Sequence, residues 1–269
     1  MSGIYIHIPF CKQACHYCDF HFSTNLKKKD EMVLALAKEI EMRKSEFQDE
    51  IVETIYFGGG TPSILQIADL KFLIDAVYKN YKVVENPEIT VEANPDDLTE
   101  NRIIELSNNK VNRLSIGIQS FFEDDLQLMN RAHNVEEAKK CLEIATHYFD
   151  NISIDLIYGV PEMSNEKWLQ NIETALSFGV PHISSYALTV EPKTALHSFI
   201  QKGIIPQPDD EVAQEHFQIL VDKLSENGFI HYELSNFGKE NYFSKNNSSY
   251  WLGKKYIGIG PSAHSYDGK

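Results

Sequence analysis

Positive charge is scarce in this sequence. Its 269 residues include 25 Lys and Arg against 39 Asp and Glu, which gives a formal net charge of −14. A surface this negative repels phosphate backbones and anionic lipid headgroups. Nucleic acid and the membrane surface are therefore not expected as partners.

Long apolar runs are also lacking. No stretch approaches the ~18 consecutive apolar residues of a membrane-spanning helix, so we expect no integral membrane segment. The N-terminus has no basic region followed by an apolar one, as a secretory signal would, and a cytoplasmic location is the expectation. The sequence ends at Lys269, just after a Gly-rich apolar stretch, which is typical of a truncated chain.

Cysteine is infrequent, with four residues in the chain. Three of them lie close together as Cys11-x3-Cys15-x2-Cys18, which is not the pattern of a disulfide framework. The fourth, Cys141, shares an apolar helical stripe with Leu142 and is expected in the core.

Short β-branched runs alternate with longer segments of helical periodicity. Strands are predicted near 3–8, 52–57, 88–93, 113–119, 151–157 and 182–188, and helices near 28–46, 64–80, 99–109, 134–147 and 165–178. Strand–helix units in regular succession indicate a parallel sheet, either doubly wound or curved into an open barrel.

The predicted strands have one apolar and one polar face. In the first strand Ile4, Ile6 and Ile8 alternate with Tyr5 and His7, and later strands repeat the pattern. Strands covered by helices on both faces are apolar throughout, whereas a barrel that holds a polar ligand needs this alternation. The sequence therefore favours a partial (β/α) barrel with an open, wet interior.

The regular strand–helix pattern of the sequence ends near residue 200, and we place a domain boundary there. Residues 1–200 are predicted to form the barrel and residues 201–269 a C-terminal extension. The extension opens with a helix from Asp209 or Asp210 to Asn227, followed by a strand-like segment at 231–234.

The three-cysteine motif follows the first strand directly. Three thiolates can ligate three irons of a [4Fe–4S] cubane and leave the fourth iron open to a small molecule. S-adenosylmethionine (SAM) can chelate that iron through its amino and carboxylate groups. A zinc site that adds His21 to the three cysteines remains open as an alternative.

Further candidate residues lie at the predicted C-terminal ends of strands, where barrel active sites form. Gly59, Gly60 and Thr61 follow the second strand, and glycine lets the backbone approach a ligand closely; a plain strand-to-helix turn is the other interpretation. Glu92, Gln119 and Asp155 can accept hydrogen bonds from ribose hydroxyls or an ammonium, or serve as structural hydrogen-bonding groups.

Taken together, the motifs carry a family resemblance along almost the whole chain. They are Tyr5-x-His7-Ile8-Pro9-Phe10-Cys11-x3-Cys15-x-Tyr17-Cys18, Gly58-Gly59-Gly60-Thr61-Pro62-Ser63, Glu92-Ala93-Asn94-Pro95, Ser115-Ile116-Gly117-Ile118-Gln119-Ser120-Phe121, Asp155-Leu156-Ile157-Tyr158-Gly159-Val160-Pro161, Tyr232-Glu233-Leu234-Ser235-Asn236-Phe237 and Gly258-Ile259-Gly260-Pro261-Ser262-Ala263-His264. This set resembles the family of the oxygen-independent coproporphyrinogen III oxidases and their haem-chaperone relatives. The resemblance implies a partial (β/α)6 radical-SAM barrel with a C-terminal extension.

The resemblance also implies roles for individual residues. Cys11, Cys15 and Cys18 would hold the cluster. Arg131 resembles the family's arginine that pairs with the SAM carboxylate. Tyr5 and Tyr17 resemble its aromatic contacts near the sulfonium and the adenine.

Two positions separate the branches of the family. The oxidases have a further cysteine where this chain has Phe20, and the haem chaperones share that departure. Asn247, Tyr250 and Trp251 match the chaperones' haem-binding motif, but Asn246 replaces its histidine and cannot ligate iron as an imidazole does. Other candidate haem contacts are Lys245, Lys254 and Lys255 for the propionates and His7, His231 and His264 for the iron.

The leading hypothesis is a haem chaperone that binds a [4Fe–4S] cluster, SAM and haem and passes haem to an unidentified acceptor protein. The second hypothesis is radical decarboxylation of coproporphyrinogen III. A zinc-stabilised binding module is a third, and a packed aromatic pair is the structural alternative for Tyr250 and Trp251.

Overall fold

A computed structural model describes residues 2–47 and 49–269. The strands are β1 Ser2–Ile8, β2 Val52–Gly59, β3 Val83–Ala93, β4 Arg113–Gln119, β5 Ile152–Tyr158, β6 His182–Ala187, β7 Ile230–His231, β8 Asn236–Gly238 and β9 Tyr256–Ile259. They form one sheet in the order β7-β8-β6-β5-β4-β3-β2-β1-β9. Neighbouring strands from β1 to β6 are parallel, and β9 is parallel to β1. The chain thus has the predicted α/β fold, in which the six predicted strands are parallel and β9 adds a seventh parallel strand.

Helices connect these strands. They are α1 Lys29–Met42, α2 Ile67–Asn80, α3 Glu100–Ser107, α4 Glu123–Leu128, α5 Val135–Tyr148, α6 Asn165–Ser177, α7 Ala195–Gln201, α8 Asp210–Glu226 and α9 Lys245–Trp251. Several begin at side chains that accept from the backbone N–H groups of the first turn, as Asn134 and Asp209 do. None of the helices in the described part of the chain is long and apolar enough to cross a bilayer.

The two strand faces differ as the alternation predicts. Ile4, Ile6 and Ile8 are buried in the hydrophobic core. That core also takes in Leu36 of α1 and Cys141 of α5, which confirms the prediction for the cysteine. The opposite face, with Tyr5, His7 and their equivalents on the other strands, borders the barrel interior.

The chain after residue 200 joins the sheet at both edges. Strand β8 pairs antiparallel with β6, and β9 pairs with β1. The strand predicted at 231–234 is wrong in extent, because β7 ends at His231. Helices α4, α7 and α9 are not among the sequence expectations. The division of the chain at residue 200 stays a prediction.

Helix α9 lies at the N-terminal ends of β1, β2 and β3. The buried carboxylate of Glu88 on β3 accepts hydrogen bonds from the backbone N–H groups of Lys245 and Asn246, each at 3.1 Å. The Asn246 side chain accepts from the Thr54 hydroxyl of β2 at 3.2 Å. These contacts fix α9 at one end of the barrel, opposite to the end where the cysteines lie.

Candidate functional site

A cavity of about 400 Å³ opens at the C-terminal ends of the parallel strands. This volume lies within the range of small-molecule sites. Most of the predicted cluster and SAM residues line it: Cys11, Cys15, Tyr17, Cys18, Gly59, Gly60, Thr61, Glu92, Gln119, Arg131 and Asp155. The sheet therefore brings together side chains that are more than a hundred residues apart in the sequence.

The loop that carries the three cysteines is held in place from both sides. Asn130 donates to the Ala14 carbonyl at 2.7 Å, and Gln13 donates back to the Asn130 carbonyl at 2.9 Å. The His16 backbone N–H donates to Met129 and its carbonyl accepts from Leu196 of α7. The loop conformation thus depends on the segment that follows α4 and on α7.

The three thiols face the cavity without converging on one point. Among the described residues, no three His, Cys, Asp or Glu side chains are arranged to hold a single metal ion. A cubane differs because its thiolates ligate three separate irons. Burial raises the pKa of the Cys11 thiol and raises that of Cys18 to about 11, so iron must displace their protons on binding.

Glycine is required at 59 and 60 by close packing. A Cβ at Gly60 would lie 2.7 Å from the Phe10 carbonyl oxygen and 2.8 Å from that of Ile8. Gly59 has φ of +108°, and a Cβ there would lie 2.5 Å from the His7 ring. The tight turn brings the loop backbone to the cavity wall. The glycines thus form a strand-to-helix turn and also allow the backbone to approach a ligand, the two interpretations that the sequence offered.

Glu92 and Asp155 place two carboxyl groups inside the barrel. Glu92 accepts from the Tyr56 hydroxyl at 2.8 Å and from the Gly59 N–H at 3.2 Å. Burial raises the pKa of Glu92 to about 7, against the lowering effect of the Tyr56 hydrogen bond. Burial also raises the pKa of Asp155 to about 6, which Arg113 and Arg131 oppose.

Gln119 ends β4 in an uncommon backbone conformation. Its φ of +68° lies in the left-handed region, which costs a non-glycine residue about 1–2 kcal/mol. The next residues hold it there, because Ser120 donates to Asp125 at 2.6 Å and the Phe121 N–H donates to Asn171 at 2.6 Å. This turn aims the buried Gln119 amide at the cavity.

Arg131 connects the cluster loop to the rest of the site. Its Nη1 donates to the Cys15 Sγ at 3.3 Å, and its Nη2 donates to the Asn94 Oδ1 at 2.7 Å and the Gly117 carbonyl at 2.9 Å. Its buried Nε has no hydrogen-bond partner among residues 2–47 and 49–269. One donor of this guanidinium is thus unpaired within the described part of the chain.

Some cavity residues were missed from the sequence. Asn94 orients Arg131, yet in its motif only Glu92 was singled out. Tyr186 of β6 lines the wall beside Leu188, and Phe20 lies at the rim with 68% of its surface exposed. Continuing the alternation along β6 would have placed Tyr186 on the inner face.

Four predicted contacts lie outside the cavity wall: Tyr5, Asn247, Tyr250 and Trp251. Tyr5 is deeper in the barrel, stacked on Tyr56 with 6.0 Å between ring centroids. Tyr250 and Trp251 are on α9, 42% and 63% exposed. The structure does not bring these residues to the cysteines.

Asn246 is on the side of α9 that faces the sheet. Asn246 is 3% exposed, and its amide donates to the Tyr250 hydroxyl at 3.2 Å. Of the candidate iron ligands, His7 is engaged with Tyr5 and the His21 carbonyl. His231 stacks on Phe237 at 4.2 Å between centroids.

The candidate propionate contacts are partly occupied. Lys254 pairs with Glu53 at 3.2 Å and Lys255 with Glu50 at 2.8 Å. His264 is exposed near the edge of β9. A haem propionate would therefore compete with carboxylates already beside these two lysines.

A parallel open barrel with a three-cysteine loop after its first strand is the architecture of radical SAM proteins, and the sequence model described as the Radical SAM superfamily matches residues 5–175. The haem chaperone HemW of Bacillus subtilis is 39% identical over 271 residues, covering 100% of this chain and 72% of that protein. The chain belongs to the HemW family of the radical SAM superfamily.

A further relative and a solved structure support the same superfamily and fold. The mitochondrial radical S-adenosyl methionine domain-containing protein 1 of Danio rerio is 34% identical, over 98% of this chain and 60% of its own length. The solved structure of the coproporphyrinogen III oxidase HemN of Escherichia coli, a radical SAM enzyme, has a TM-score of 0.85 at 24% identity. It covers 99% of this chain and 65% of that chain, a likeness of fold. Family membership implies a [4Fe–4S] cluster and SAM.

The glycine turn generates a stability prediction. Gly60→Ala should lower the free energy of unfolding by about 3 kcal/mol, since its Cβ meets backbone atoms that cannot move aside. Gly203→Ala is the control, with nothing within 4 Å of its Cβ and a cost of about 1 kcal/mol for the left-handed conformation. Urea unfolding of the cofactor-free protein measures both, and equal losses would contradict the packing argument.

Proposed function

We propose that this protein is a cytoplasmic haem chaperone of the radical SAM superfamily. It binds a [4Fe–4S] cluster, SAM and haem, and it transfers haem to an acceptor protein. The observation that carries the proposal is the convergence of three cysteines, two buried carboxyl groups and Arg131 on one cavity. The names of the HemW relatives support the haem part of the proposal.

Cys11, Cys15 and Cys18 would hold the cluster. Their chemistry fits, because thiolates are the usual ligands of iron–sulfur clusters and all three thiols line one cavity. Arg131 donates to the Cys15 Sγ at 3.3 Å and so ties this thiol to the rest of the site. When bound, the cluster and SAM together supply one-electron and radical chemistry.

The remaining cavity residues fit SAM. The Arg131 guanidinium lines the cavity and can pair with a carboxylate, while Glu92 and Asp155 can accept from an ammonium or from ribose hydroxyls. Gln119 offers both a donor and an acceptor. Tyr17 lies under this set with its hydroxyl 3.4 Å from the Arg131 Nη1, and burial raises its pKa, so it stays neutral.

The haem surface would be on α9. Tyr250 and Trp251 are exposed on this short helix and Leu252 directly after it, and exposed aromatic side chains can stack on a porphyrin. The Trp251 indole donates to Glu233 at 2.8 Å, which fixes the ring orientation. Asn247 is on the same helix.

The chaperone is preferred over the oxidase because of Phe20. The oxidase branch has a cysteine at this position, and here the cavity rim carries an exposed phenyl ring instead. A thiol-dependent step at that point is not available to this chain. Decarboxylation of coproporphyrinogen is therefore the outcome that would overturn the proposal.

The cluster assignment predicts a difference between the four cysteines. Anaerobically reconstituted protein should contain roughly four iron and four sulfide per chain. Cys11→Ala, Cys15→Ala and Cys18→Ala should each lose the cluster and its brown colour, while the control Cys141→Ala keeps both. Zinc bound without labile sulfide would show that the assignment is wrong.

The SAM assignment predicts that SAM binding depends on the planar guanidinium group of Arg131. In cluster-loaded protein, Arg131→Lys should weaken SAM binding by roughly 1.5 kcal/mol or more, because lysine cannot form the planar pair with a carboxylate. Calorimetric titration measures the dissociation constant, with iron content checked first. Lys140→Ala on the surface of α5 is the control, and an unchanged constant for Arg131→Lys would remove this residue from the SAM site.

The haem assignment predicts that binding depends on α9. The double variant Tyr250→Ala, Trp251→Ala should weaken haem binding by at least ~1 kcal/mol, as expected for lost aromatic stacking. The matched control is Phe72→Ala, Tyr148→Ala, which removes two similarly exposed rings from outer helices. Soret titration gives the affinities. Vinyl product formed from coproporphyrinogen with SAM and reductant would establish the oxidase instead.

A further inference from the structure

One fully buried cation in the barrel has no role in the proposed site. Arg113 opens β4 and is 1% exposed. It is opposite Thr90 of β3 and two residues before Ser115, which is opposite Glu92. Its neighbour Leu114 points to the core, so Arg113 is on the inner face of the barrel, below the cavity.

The guanidinium of Arg113 lacks conventional partners. Its Nε has no hydrogen bond, and in the part of the chain that the structure describes none of the ion pairs within 4.0 Å includes this residue. Arginine cannot lose its proton in a protein, and an uncompensated buried charge costs several kcal/mol. Its compensation must come from charges that are near it without direct contact.

Those charges are the carboxyl groups of the site. Ser115, two residues after Arg113 on the same strand face, is opposite Glu92 on β3 and Ser153 on β5, and Asp155 is two residues beyond Ser153 on that face. Of the groups that oppose the effect of burial on Asp155, Arg113 has the largest influence and Arg131 the next. Arg113 also lowers the pKa of Glu92, by less than the Tyr56 hydrogen bond does and against the raising effect of Asp155. The barrel interior thus contains a fixed positive charge under two carboxyl groups that burial would otherwise neutralise.

We propose that Arg113 is a positioning residue that keeps Asp155 and Glu92 as anions, and so as hydrogen-bond acceptors, for a cationic or hydroxyl-bearing ligand. The inference deepens the proposed SAM site and rests on that proposal for the identity of the ligand. Arg113 acts through the two carboxylates and does not touch the ligand. An anionic ligand beside Arg113 is disfavoured because these carboxylates would repel it.

The other titratable groups facing the pair are neutral in the relevant pH range. They are Tyr5, Tyr17, Tyr56, Tyr186 and Tyr250, each with its pKa raised by burial. His182, beside Arg113, has its pKa held well below 6.5 by burial and then by Arg113. Within the protein, changes between pH 6 and 9 therefore report mainly on Asp155 and Glu92. The amino group of SAM titrates in the same range for every variant, so the difference between variants is the quantity that reports on the carboxyl groups.

The direction of the pH dependence follows. Both carboxyl groups have pKa values raised above those of exposed groups, so ligand affinity should increase as pH rises through about 6 to 7. Loss of Arg113 raises both pKa values further. The affinity curve then moves to higher pH, whereas a lost structural contact would lower affinity equally at every pH.

The test compares Arg113→Gln with Arg113→Lys, which keeps the charge. SAM affinity of cluster-loaded protein is measured from pH 6 to 9. Arg113→Gln should bind about tenfold more weakly than wild type at pH 7 and nearly equally at pH 9, corresponding to a shift of about one pH unit. Arg113→Lys should keep the wild-type midpoint.

The control is Arg102→Gln, a part-buried arginine of α3 that bonds the Leu65 carbonyl, and it should leave the midpoint unchanged. Coincident midpoints for Arg113→Gln and wild type overturn the proposal.

A second measurement needs neither SAM nor a folded variant. In wild-type protein without cofactors, ¹³C NMR of labelled Asp and Glu should show both carboxyl groups ionised by pH 8. A carboxyl group at 92 or 155 that stays protonated above pH 8 overturns the inference, even if Arg113→Gln does not fold. Absence of SAM binding by wild type at any pH would instead reject the proposed function. The NMR titration would still test whether the two carboxyl groups are ionised, and its repetition on folded Arg113→Gln would show whether Arg113 is the cause.

Discussion

The need to satisfy polar groups on the inner strand face governs this structure. Strands of period two place apolar side chains against the helices and leave hydroxyl, carboxyl and amide groups inside the barrel. Buried polar groups are costly unless they find partners. The protein meets this requirement differently at the two ends of the strands, and the difference defines where ligands can bind.

At the N-terminal end most partners come from the chain itself, with the Arg113 Nε and the Thr90 hydroxyl as exceptions among the described residues. Ser153 and His182 are 2.6 Å apart, and His182 is 2.8 Å from the hydroxyl of Tyr232. Thr54 and Glu88 bond to α9 in the same way. The residues after 200 thus close this end by supplying hydrogen bonds. At the C-terminal end, the side chain of Arg131, two carboxyl groups and the thiols line a cavity, and there a cofactor would take the place of protein partners.

Much of this could be predicted from the sequence, because it depends on local pattern. Six parallel strands are predicted by the regular succession of strand and helix patterns, and the cluster site is predicted by the spacing of the cysteines. The short strands β7 and β8 could not be predicted, since two or three residues carry too little pattern and their pairing depends on distant segments. Arg113 was missed for the same kind of reason. One arginine at the start of a strand looks like a solvated end residue until the sheet surrounds it.

The contacts of position 246 also depend on tertiary structure, and they change how the family motif is interpreted in this chain. A histidine at this position suggests an iron ligand, and its replacement by asparagine suggests a lost haem site. Asn246 instead bonds Thr54 on one side and the Tyr250 hydroxyl on the other, beneath the helix. The Asn246 side chain is directed toward β2 and the Tyr250 hydroxyl is turned toward it, whereas Trp251 is 63% exposed on α9. In this chain Asn246 therefore attaches the helix to β2, and the exposed indole of Trp251 and the partly exposed ring of Tyr250 remain for a porphyrin to contact.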